Sequence, residues 1–187
     1  MRVLEGKYQR QALKSIHSPE VRPTARRLRE VLFQLLAPHL RGARFLDLCA
    51  GSGAVGIEAL SRGAAHATFV ERSTETCRLI ESNLRACGVW KEQSEVLAAD
   101  VQDFLAPFGA GESGAWDIAF FDPPYATNYA PVLARFASGA ALRRGRGGVL
   151  VIEHHFTNRL HDQTGVLRRW RVVRAGESCL SLYERKR

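Results

Sequence analysis

The chain has few of the features that hold small secreted or metal-binding proteins together. Its 187 residues include four cysteines, Cys49, Cys77, Cys87 and Cys179, and none of them forms a C-x-x-C pair. This spacing gives little support to a zinc site or a disulfide framework. No apolar run approaches a membrane span, and the basic N-terminus lacks the apolar core of a signal peptide. We therefore expect no metal, no membrane and a cytoplasmic location.

The composition is that of an ordinary globular domain. Hydrophobic residues make up 45% of the chain and charged residues 25%, which is typical of a protein with a substantial core. We find no internal repeat and no linker. The sequence predicts one domain over 1–187, with a basic N-terminal extension over 1–40 and a core over 41–187, and a monomer is the default expectation.

The net charge of +8 is distributed unevenly along the chain. Residues 1–44 carry 10 Lys and Arg against 3 acids, residues 45–142 carry 6 against 12, and residues 143–187 carry 11 against 4. Two basic flanks around an acidic middle are typical of a protein that holds a polyanion around a pocket. The alternative is a solvated arginine-rich surface without a partner.

The segment Asp122-Pro123-Pro124-Tyr125 ends an apolar run that begins at Trp116. Two prolines stiffen the loop and donate no N–H of their own, so the Asp122 carboxylate and the Pro123 carbonyl remain acceptors beside the Tyr125 ring. Such a loop suits a planar heterocycle that carries an amino group. An ordinary strand-ending turn is the other interpretation.

A glycine-rich loop lies between a predicted strand and a predicted helix upstream. Gly51, Gly53 and Gly56 formally satisfy G-x-G-x-x-G, so a dinucleotide site must be considered. Asp47 argues against it, because a carboxylate at the strand end favours a cationic ligand over a pyrophosphate.

Acids close four successive strands, at Asp47, Glu71, Asp100 and Asp122. In open α/β sheets ligands bind outside the carboxyl ends of the strands. Four carboxylates gathered there favour a positively charged cofactor, such as the sulfonium S-adenosylmethionine. The alternative is that each acid caps the following helix, which fits Asp100.

Periodicity and turn signals predict an α/β order of strands and helices. A β-hairpin is expected over 1–16, and a helix over 25–37 is capped by Thr24 and ended by Pro38. The predicted strands are 44–48, 66–71, 95–99, 116–121 and 148–153, and the predicted helices are 54–62, 74–87, 101–106 and 128–141. A loop is expected over 109–114, and a terminal antiparallel hairpin over 166–173 and 179–184.

The sequence resembles a known family in three places. These are Arg22-Pro23-Thr24 with the Arg29-Glu30 and Leu32-Phe33 pairs downstream, the run 45–64 around the glycine loop, and the DPPY tetrapeptide. The chain is similar to class I S-adenosylmethionine-dependent methyltransferases, and more narrowly to the RsmD family, which methylates the N2 amine of a guanine in small-subunit (16S) ribosomal RNA. Cys49 departs from the aromatic residue expected at its position.

The resemblance implies a Rossmann-like fold, with a seven-stranded, mostly parallel sheet, a C-terminal antiparallel hairpin, and an N-terminal β-hairpin and helix. It implies S-adenosylmethionine as cofactor and ribosomal RNA, within a small-subunit particle, as partner. The expected catalytic residues are Asp122, Pro123, Pro124 and Tyr125. The expected cofactor-binding residues are Asp47, Ala50, Gly51, Ser52, Gly53, Glu71, Arg72, Asp100 and Val101. The expected RNA contacts are Arg22, Thr24, Arg26 and Arg29.

Rival functions remain open at this point. A DNA adenine-N6 methyltransferase shares the DPPY chemistry but usually carries a separate recognition domain. A pyrimidine-C5 methyltransferase needs a cysteine nucleophile where this chain has Asp122. A non-catalytic RNA-binding ribosome assembly factor would keep the basic flanks, but it has no need of four strand-end acids. An NAD oxidoreductase is disfavoured by Asp47.

Overall fold

The computed structural model describes residues 1–15, 23–108, 116–124, 126–138, 141–143 and 148–185, except for the side chains of 23–25. Strands and helices alternate along most of this chain. The helices are α1 Pro23–Leu40, α2 Ala54–Ser61, α3 Thr74–Ala86, α4 Val101–Leu105 and α5 Ala130–Ala137. The strands are β1 Arg44–Leu48, β2 His66–Glu71, β3 Ser94–Ala98, β4 Ile118–Phe121, β5 Val149–His155, β6 Gln163–Thr164, β7 Leu167–Ala175 and β8 Ser178–Arg185.

The eight strands form one sheet in the order β3-β2-β1-β4-β5-β8-β7-β6. The first five pair in parallel, and β8 runs antiparallel to β5. The strand order reverses between β1 and β4, which is where open α/β sheets bind ligands. The predicted fold is correct apart from the strand count: β6 adds a two-residue edge strand to the seven expected.

Both faces of the sheet are covered, which explains why its central strands are apolar throughout. The four residues of β4 are all buried. Side chains of α1, α2 and α3, including Leu32, Ile57 and Ile80, pack on one face. Leu105 of α4 and Phe136 of α5 pack on the other.

The N-terminal segment folds back on itself, as the predicted hairpin requires. Its pairing is short: Arg2 and Ala12 form one antiparallel bridge, flanked by a hydrogen bond of 3.0 Å from the Val3 amide to the Gln11 carbonyl. The segment packs on α2 instead of extending the sheet. It is therefore held by contacts with the core.

Helix α1 is longer than the sequence predicts, and both predicted ends are wrong. It begins at Pro23, so Thr24 lies inside the first turn and is not the cap. Proline is favoured at the first helical position because its missing N–H would be unpaired there. At the other end Pro38 lies inside the helix, which continues to Leu40. Pro38 cannot donate to the carbonyl of Gln34, but only two residues of the helix follow it, and the buried side chain of Leu40 secures that last turn.

None of the helices in these ranges combines the length and apolar character needed to cross a membrane. The predicted loop over 109–114 lies outside the described residues.

Candidate active site

The carboxyl ends of β1 to β5 open into a cleft of about 690 Å³. Its walls come from the glycine loop, the ends of β2 and β3, and the loop after β4. Of the predicted site residues, Gly51, Ser52, Glu71, Arg72, Asp100, Val101, Asp122, Pro123 and Pro124 line it. The cleft falls within the volume range of pockets that bind small molecules and cofactors.

The glycine loop is a tight turn between β1 and α2. Gly51 and Gly53 have positive φ angles of 54° and 74°, a region that other residues adopt only with strain. The Gly53 amide donates to the Ala50 carbonyl at 2.8 Å and closes the turn. Gly56 is required by close packing, because a Cβ there would lie 2.3 Å from the Phe69 ring. The loop conformation therefore depends on three glycines with different roles.

Glu71 ties the glycine loop to the end of β2. One carboxylate oxygen accepts from the Gly51 amide at 3.1 Å, and the other accepts from the Ser73 amide at 3.0 Å. Because the carboxylate holds the loop from the side of the neighbouring strand, the acid also has a structural role.

Asp47 is almost fully buried below the glycine loop, with 2% of its surface exposed. Its Oδ2 accepts from the Gly56 amide at 2.8 Å. Burial raises the pKa of Asp47 to about 8, and the nearby Glu71 adds to the rise, while the hydrogen bond from Gly56 opposes it. The side chain borders a smaller cavity of about 230 Å³ that lies against α1.

Asp100 caps α4, as the alternative interpretation of this acid proposed. Its Oδ1 accepts from the Gln102 amide at 2.8 Å. The side chain is nevertheless exposed at the mouth of the cleft beside Val101, and Arg72 is exposed on the neighbouring wall. Capping and lining the cleft are compatible, because a carboxylate has several lone pairs.

The loop after β4 presents Asp122 to the cleft. The Asp122 amide donates to the Leu48 carbonyl at 3.3 Å, so the strand pairing with β1 continues up to the acid. Pro123 is buried and Pro124 is exposed, and the Thr127 amide donates to the Pro124 carbonyl at 2.9 Å. Tyr125 lies outside the described residues.

Carboxylates gather around Asp122. Its side chain is open to the solvent of the cleft, but the surrounding protein still removes hydration. This loss of hydration, and then the negative charges of Glu153 and Asp47, raises the pKa of Asp122 well above its usual range. Asp122 and Glu153 line both the cleft and the smaller cavity. The two spaces therefore meet at this acidic pair.

Cys49 precedes the glycine loop and also lines both cavities. Burial raises the pKa of its thiol to about 12, and the charges of Glu71, Asp122, Asp47 and Asp100 contribute in that order. A thiol that stays protonated is a poor nucleophile. The acidic site therefore disfavours covalent cysteine chemistry, as the Asp-Pro-Pro-Tyr segment does in the sequence.

Comparison with known proteins identifies the family of this chain. The model of the family described as Conserved hypothetical protein 95 matches residues 1–184. The chain belongs to this family. The Bacillus subtilis (strain 168) protein YlbH, named as a candidate rRNA methyltransferase, is 32% identical over 186 residues, which cover 100% of both chains. Ribosomal RNA small subunit methyltransferase D of Escherichia coli (strain K12) is 38% identical over 125 residues, which are 67% of this chain and 60% of that protein.

A solved structure confirms the fold of this member of the family. The yhhF protein from Escherichia coli, described as a candidate methyltransferase, superposes with a TM-score of 0.82 at 28% identity, over 100% of this chain and 98% of the other. The resemblance to the RsmD family is confirmed, and with it the expected enzyme class, a methyltransferase.

Two of the four predicted RNA contacts of this family member, Arg26 and Arg29, are described, and both lie on α1 beside the smaller cavity. Arg22 and the side chain of Thr24 lie outside the described part of the chain. Arg26 is exposed on α1 and pairs with Glu30 at 3.0 Å. Arg29 is 8% exposed and donates to the Arg2 carbonyl at 2.9 Å. Arg29 thus holds the N-terminal segment, and its role as an RNA contact stays a prediction.

Two residues of the site had no assigned role in the sequence interpretation. Glu153 ends the predicted strand 148–153, so the rule that found the other four strand-end acids applies to it equally, although β5 continues to His155. Asn83 had no such signal. Its side chain is buried, its Oδ1 accepts from the Lys14 amide at 2.8 Å, and its Nδ2 donates to the Ser52 carbonyl at 2.9 Å. Asn83 thereby joins the N-terminal segment to the glycine loop.

Within the described residues, no group of three or more histidine, cysteine or acidic side chains is placed to share a metal ion.

Proposed function

We propose that this protein transfers a methyl group from S-adenosylmethionine to the exocyclic N2 amine of a guanine in small-subunit ribosomal RNA. The observation that carries the proposal is that the Asp122-Pro123 loop and the glycine loop open into one cleft. An amine acceptor and a methyl donor could therefore meet there without a domain movement.

The residues around the cleft fit a cationic, adenosine-containing cofactor. Asp47 and the backbone of Ala50–Gly53 would hold the methionine end, where negative potential favours an ammonium and a sulfonium. The Glu71 carboxylate would accept from the ribose hydroxyls through lone pairs that the two amides leave unused. Asp100, the Val101 backbone and Arg72 would border the adenine.

The loop after β4 would prepare a weak nucleophile. The guanine amine is unreactive because its lone pair is delocalised into the ring. Asp122 accepting one N–H and the Pro123 carbonyl accepting the other would favour a pyramidal nitrogen whose lone pair faces the cofactor. When bound, S-adenosylmethionine supplies an electrophilic methyl carbon, and its C–S bond breaks as the C–N bond forms, leaving the electron pair on sulfur.

The proton released from the amine needs an acceptor. The raised pKa of Asp122 makes its ionised form a stronger base than an ordinary aspartate. Asp122 is therefore favoured over water as the first acceptor. Catalysis would otherwise come from positioning and from the charge that stabilises a developing cation on nitrogen. Tyr125 would stack on the base after it leaves its helix or loop.

The C-terminal hairpin carries features that suit RNA. Strand β7 exposes Arg168, Arg171 and Arg174, with Trp170 and Val172 between them. The Arg174 guanidinium lies 4.0 Å from the centroid of the Phe156 ring. In the sheet Arg174 lies opposite Cys179, and Cys179 lies opposite His154 at the carboxyl end of β5. The contact between Arg174 and Phe156 is therefore near the end of the sheet where the cleft opens. Arginines interleaved with aromatic rings are typical of RNA-binding surfaces.

We further propose a monomer that acts in the cytoplasm on an assembled small-subunit particle. The strands of the described residues all belong to one sheet, and we propose that a folded particle supplies part of the recognition. This part of the proposal fails if naked ribosomal RNA is as good a substrate as the particle.

The test is transfer of a tritiated methyl group to undermethylated small ribosomal subunits, naked rRNA and duplex DNA, followed by digestion and mass analysis of the labelled base. We expect N2-methylguanine in the ribosomal sample. Asp122→Ala should reduce the rate about a hundredfold or more, because one acceptor and the developing-charge interaction are removed together. Asp103→Ala, an exposed aspartate of α4, is the matched control.

Each other outcome has a definite meaning. Label in DNA adenine would keep the chemistry of the cleft and overturn the substrate. Cofactor binding without label in any acceptor would favour a non-catalytic RNA-binding role, and Glu71→Ala would then test whether the cofactor occupies this cleft.

A further inference from the structure

Glu153 stands beside Asp122 in the sheet. Strands β4 and β5 pair in parallel, with Phe121 opposite Ile152. The residues that follow this pair are Asp122, directly after β4, and Glu153, within β5. Neighbouring strands lie about 4.8 Å apart. The Glu153 carboxylate is half-buried, and the Ser178 side chain forms a hydrogen bond with it. Glu153 is therefore held in place next to the residue proposed to bind the amine.

The reaction proposed above assigns no catalytic or binding role to Glu153. Glu153 lines the cleft and the smaller cavity, as Asp122 does. Burial raises the pKa of Glu153, the hydrogen bond with Ser178 lowers it, and Glu153 in turn raises that of Asp122. Two adjacent carboxylates in an open cleft repel each other, and a ligand that donates hydrogen bonds to both would relieve the repulsion.

The nucleobases that carry an exocyclic amine differ in the neighbouring ring atom. In guanine the N2 amine is flanked by N1–H, a donor, and by N3, an acceptor, so the side of the base that carries N1 presents two neighbouring donors. In adenine the N6 amine lies beside N1, and in cytosine the N4 amine lies beside N3, and both ring nitrogens are acceptors. An ionised carboxylate can only accept. A pair of carboxylates thus complements the guanine edge and repels the ring nitrogen of the other two.

We propose that Glu153 is a specificity-determining residue that accepts a hydrogen bond from guanine N1–H while Asp122 holds the N2 amine. The proposal rests on the function proposed above and adds the choice of base to it. Ser178 acts as a positioning residue that keeps the Glu153 carboxylate turned toward the cleft.

The test uses an acceptor that keeps the amine and lacks N1–H. Once the methylated guanine has been located, a synthetic RNA segment with 2-aminopurine at that position is ligated into the rRNA before the small subunit is reconstituted. Its N1 is an acceptor, so wild-type protein should methylate it about 10- to 100-fold less efficiently than guanine in kcat/KM. The Gln side chain of Glu153→Gln offers both a donor and an acceptor. The ratio of kcat/KM for guanine to kcat/KM for 2-aminopurine should therefore be about tenfold smaller in this variant than in wild-type protein.

The control is Glu177→Gln, an exposed glutamate of the turn between β7 and β8 that lines neither cavity. This variant should have the same ratio of kcat/KM for guanine to kcat/KM for 2-aminopurine as wild-type protein. Cofactor affinity, measured by calorimetry, should be unchanged in both variants, which also shows that they fold.

The contradicting outcomes are separate from those of the proposed function. If wild-type protein methylates guanine and 2-aminopurine equally, or if Glu153→Gln binds cofactor but loses both substrates in the same proportion, Glu153 does not select the base. If wild-type protein transfers no methyl group to guanine at all, the proposed function itself has failed.

Discussion

At the scale of single residues, Asp47 should couple cofactor binding to pH. Its pKa is raised to about 8 by burial, so the carboxyl is mostly protonated below that value in the cofactor-free protein. A bound cation favours the ionised form, and binding must then release a proton. The affinity for S-adenosylmethionine should therefore increase with pH between about pH 5.5 and 7, by up to about tenfold per unit.

Calorimetry in buffers of different ionisation enthalpy measures this proton release directly. Asp47→Asn is the informative variant, because it keeps an acceptor for the Gly56 amide and removes the titrating group. It should bind the cofactor more weakly and without the pH dependence. If wild-type affinity is flat across this range, Asp47 is already ionised or does not face the cofactor.

The acidic pair at Asp122 predicts the acid limb of the activity profile. Loss of hydration, Glu153 and Asp47 all raise the pKa of Asp122, and the amine needs its ionised form. As the pH is lowered, kcat/KM should therefore fall with an apparent pKa well above the ordinary range for aspartate. Because neighbouring acids titrate together, this value belongs to the pair. In Glu153→Gln the residual activity should show its acid limb at lower pH, because one like charge is gone.

A pH–rate profile of methyl transfer, measured with saturating cofactor, checks this prediction. The Glu177→Gln variant should reproduce the wild-type profile. An acid limb that stays in place in Glu153→Gln would show that the two carboxylates do not interact in the complex.

At the scale of elements, α2 holds the N-terminal segment through one buried acid. Glu58 is fully buried, and its carboxylate accepts from the amides of Leu4 at 2.7 Å and Glu5 at 3.0 Å. It also pairs with Arg62 at 2.7 Å. Glu58→Ala would leave two amides without their acceptor and would remove one of the two carboxylates that pair with Arg62, the other being Glu5 at 2.7 Å. We expect a loss of about 3–5 kcal/mol in the free energy of unfolding, measured by urea denaturation.

The control for Glu58→Ala is Glu92→Ala, which removes an exposed glutamate from the short 3₁₀ turn Lys91–Gln93. It should change the free energy of unfolding by less than about 0.5 kcal/mol. A similar small change in Glu58→Ala would mean that water replaces the missing acceptor, and that the N-terminal segment contributes little to the folded state.

The strands, helices and loops differ in how well the sequence predicts them. β1 and β2 have the predicted bounds, because apolar runs ending in turns and acids define parallel strands. The glycine loop and the Asp122-Pro123 turn were found because their residue types restrict the backbone. The helix end at Pro38 was wrong because the helix continues to Leu40, whose burial against the core is a tertiary contact that the local sequence does not show. β6 has two residues, which is too few for any periodicity, and Asn83 acts through contacts that join distant parts of the chain.

At the scale of the whole molecule, charge separates the two proposed tasks. The acids collect at the carboxyl ends of the parallel strands, while exposed arginines follow β7 in the antiparallel part of the sheet. The cleft therefore suits a cation, and its surroundings suit a polyanion. Replacing arginines of β7 should weaken RNA binding without changing the chemistry, since Arg171 and Arg174 line neither cavity.

We expect the double substitution of Arg171→Glu and Arg174→Glu to raise KM for small subunits about tenfold or more at moderate salt, with kcat nearly unchanged. The slope of log affinity against log salt should decrease by about one for each phosphate that the variant no longer neutralises. Arg78→Glu, an exposed arginine on α3, changes charge equally per site and serves as the control. If Arg78→Glu weakens binding per charge as much as the β7 pair does, only net charge matters, and β7 is not the RNA-facing surface. If only the β7 variant changes the slope, the antiparallel hairpin contacts the RNA, and the substrate base approaches the Asp122–Glu153 pair from that side.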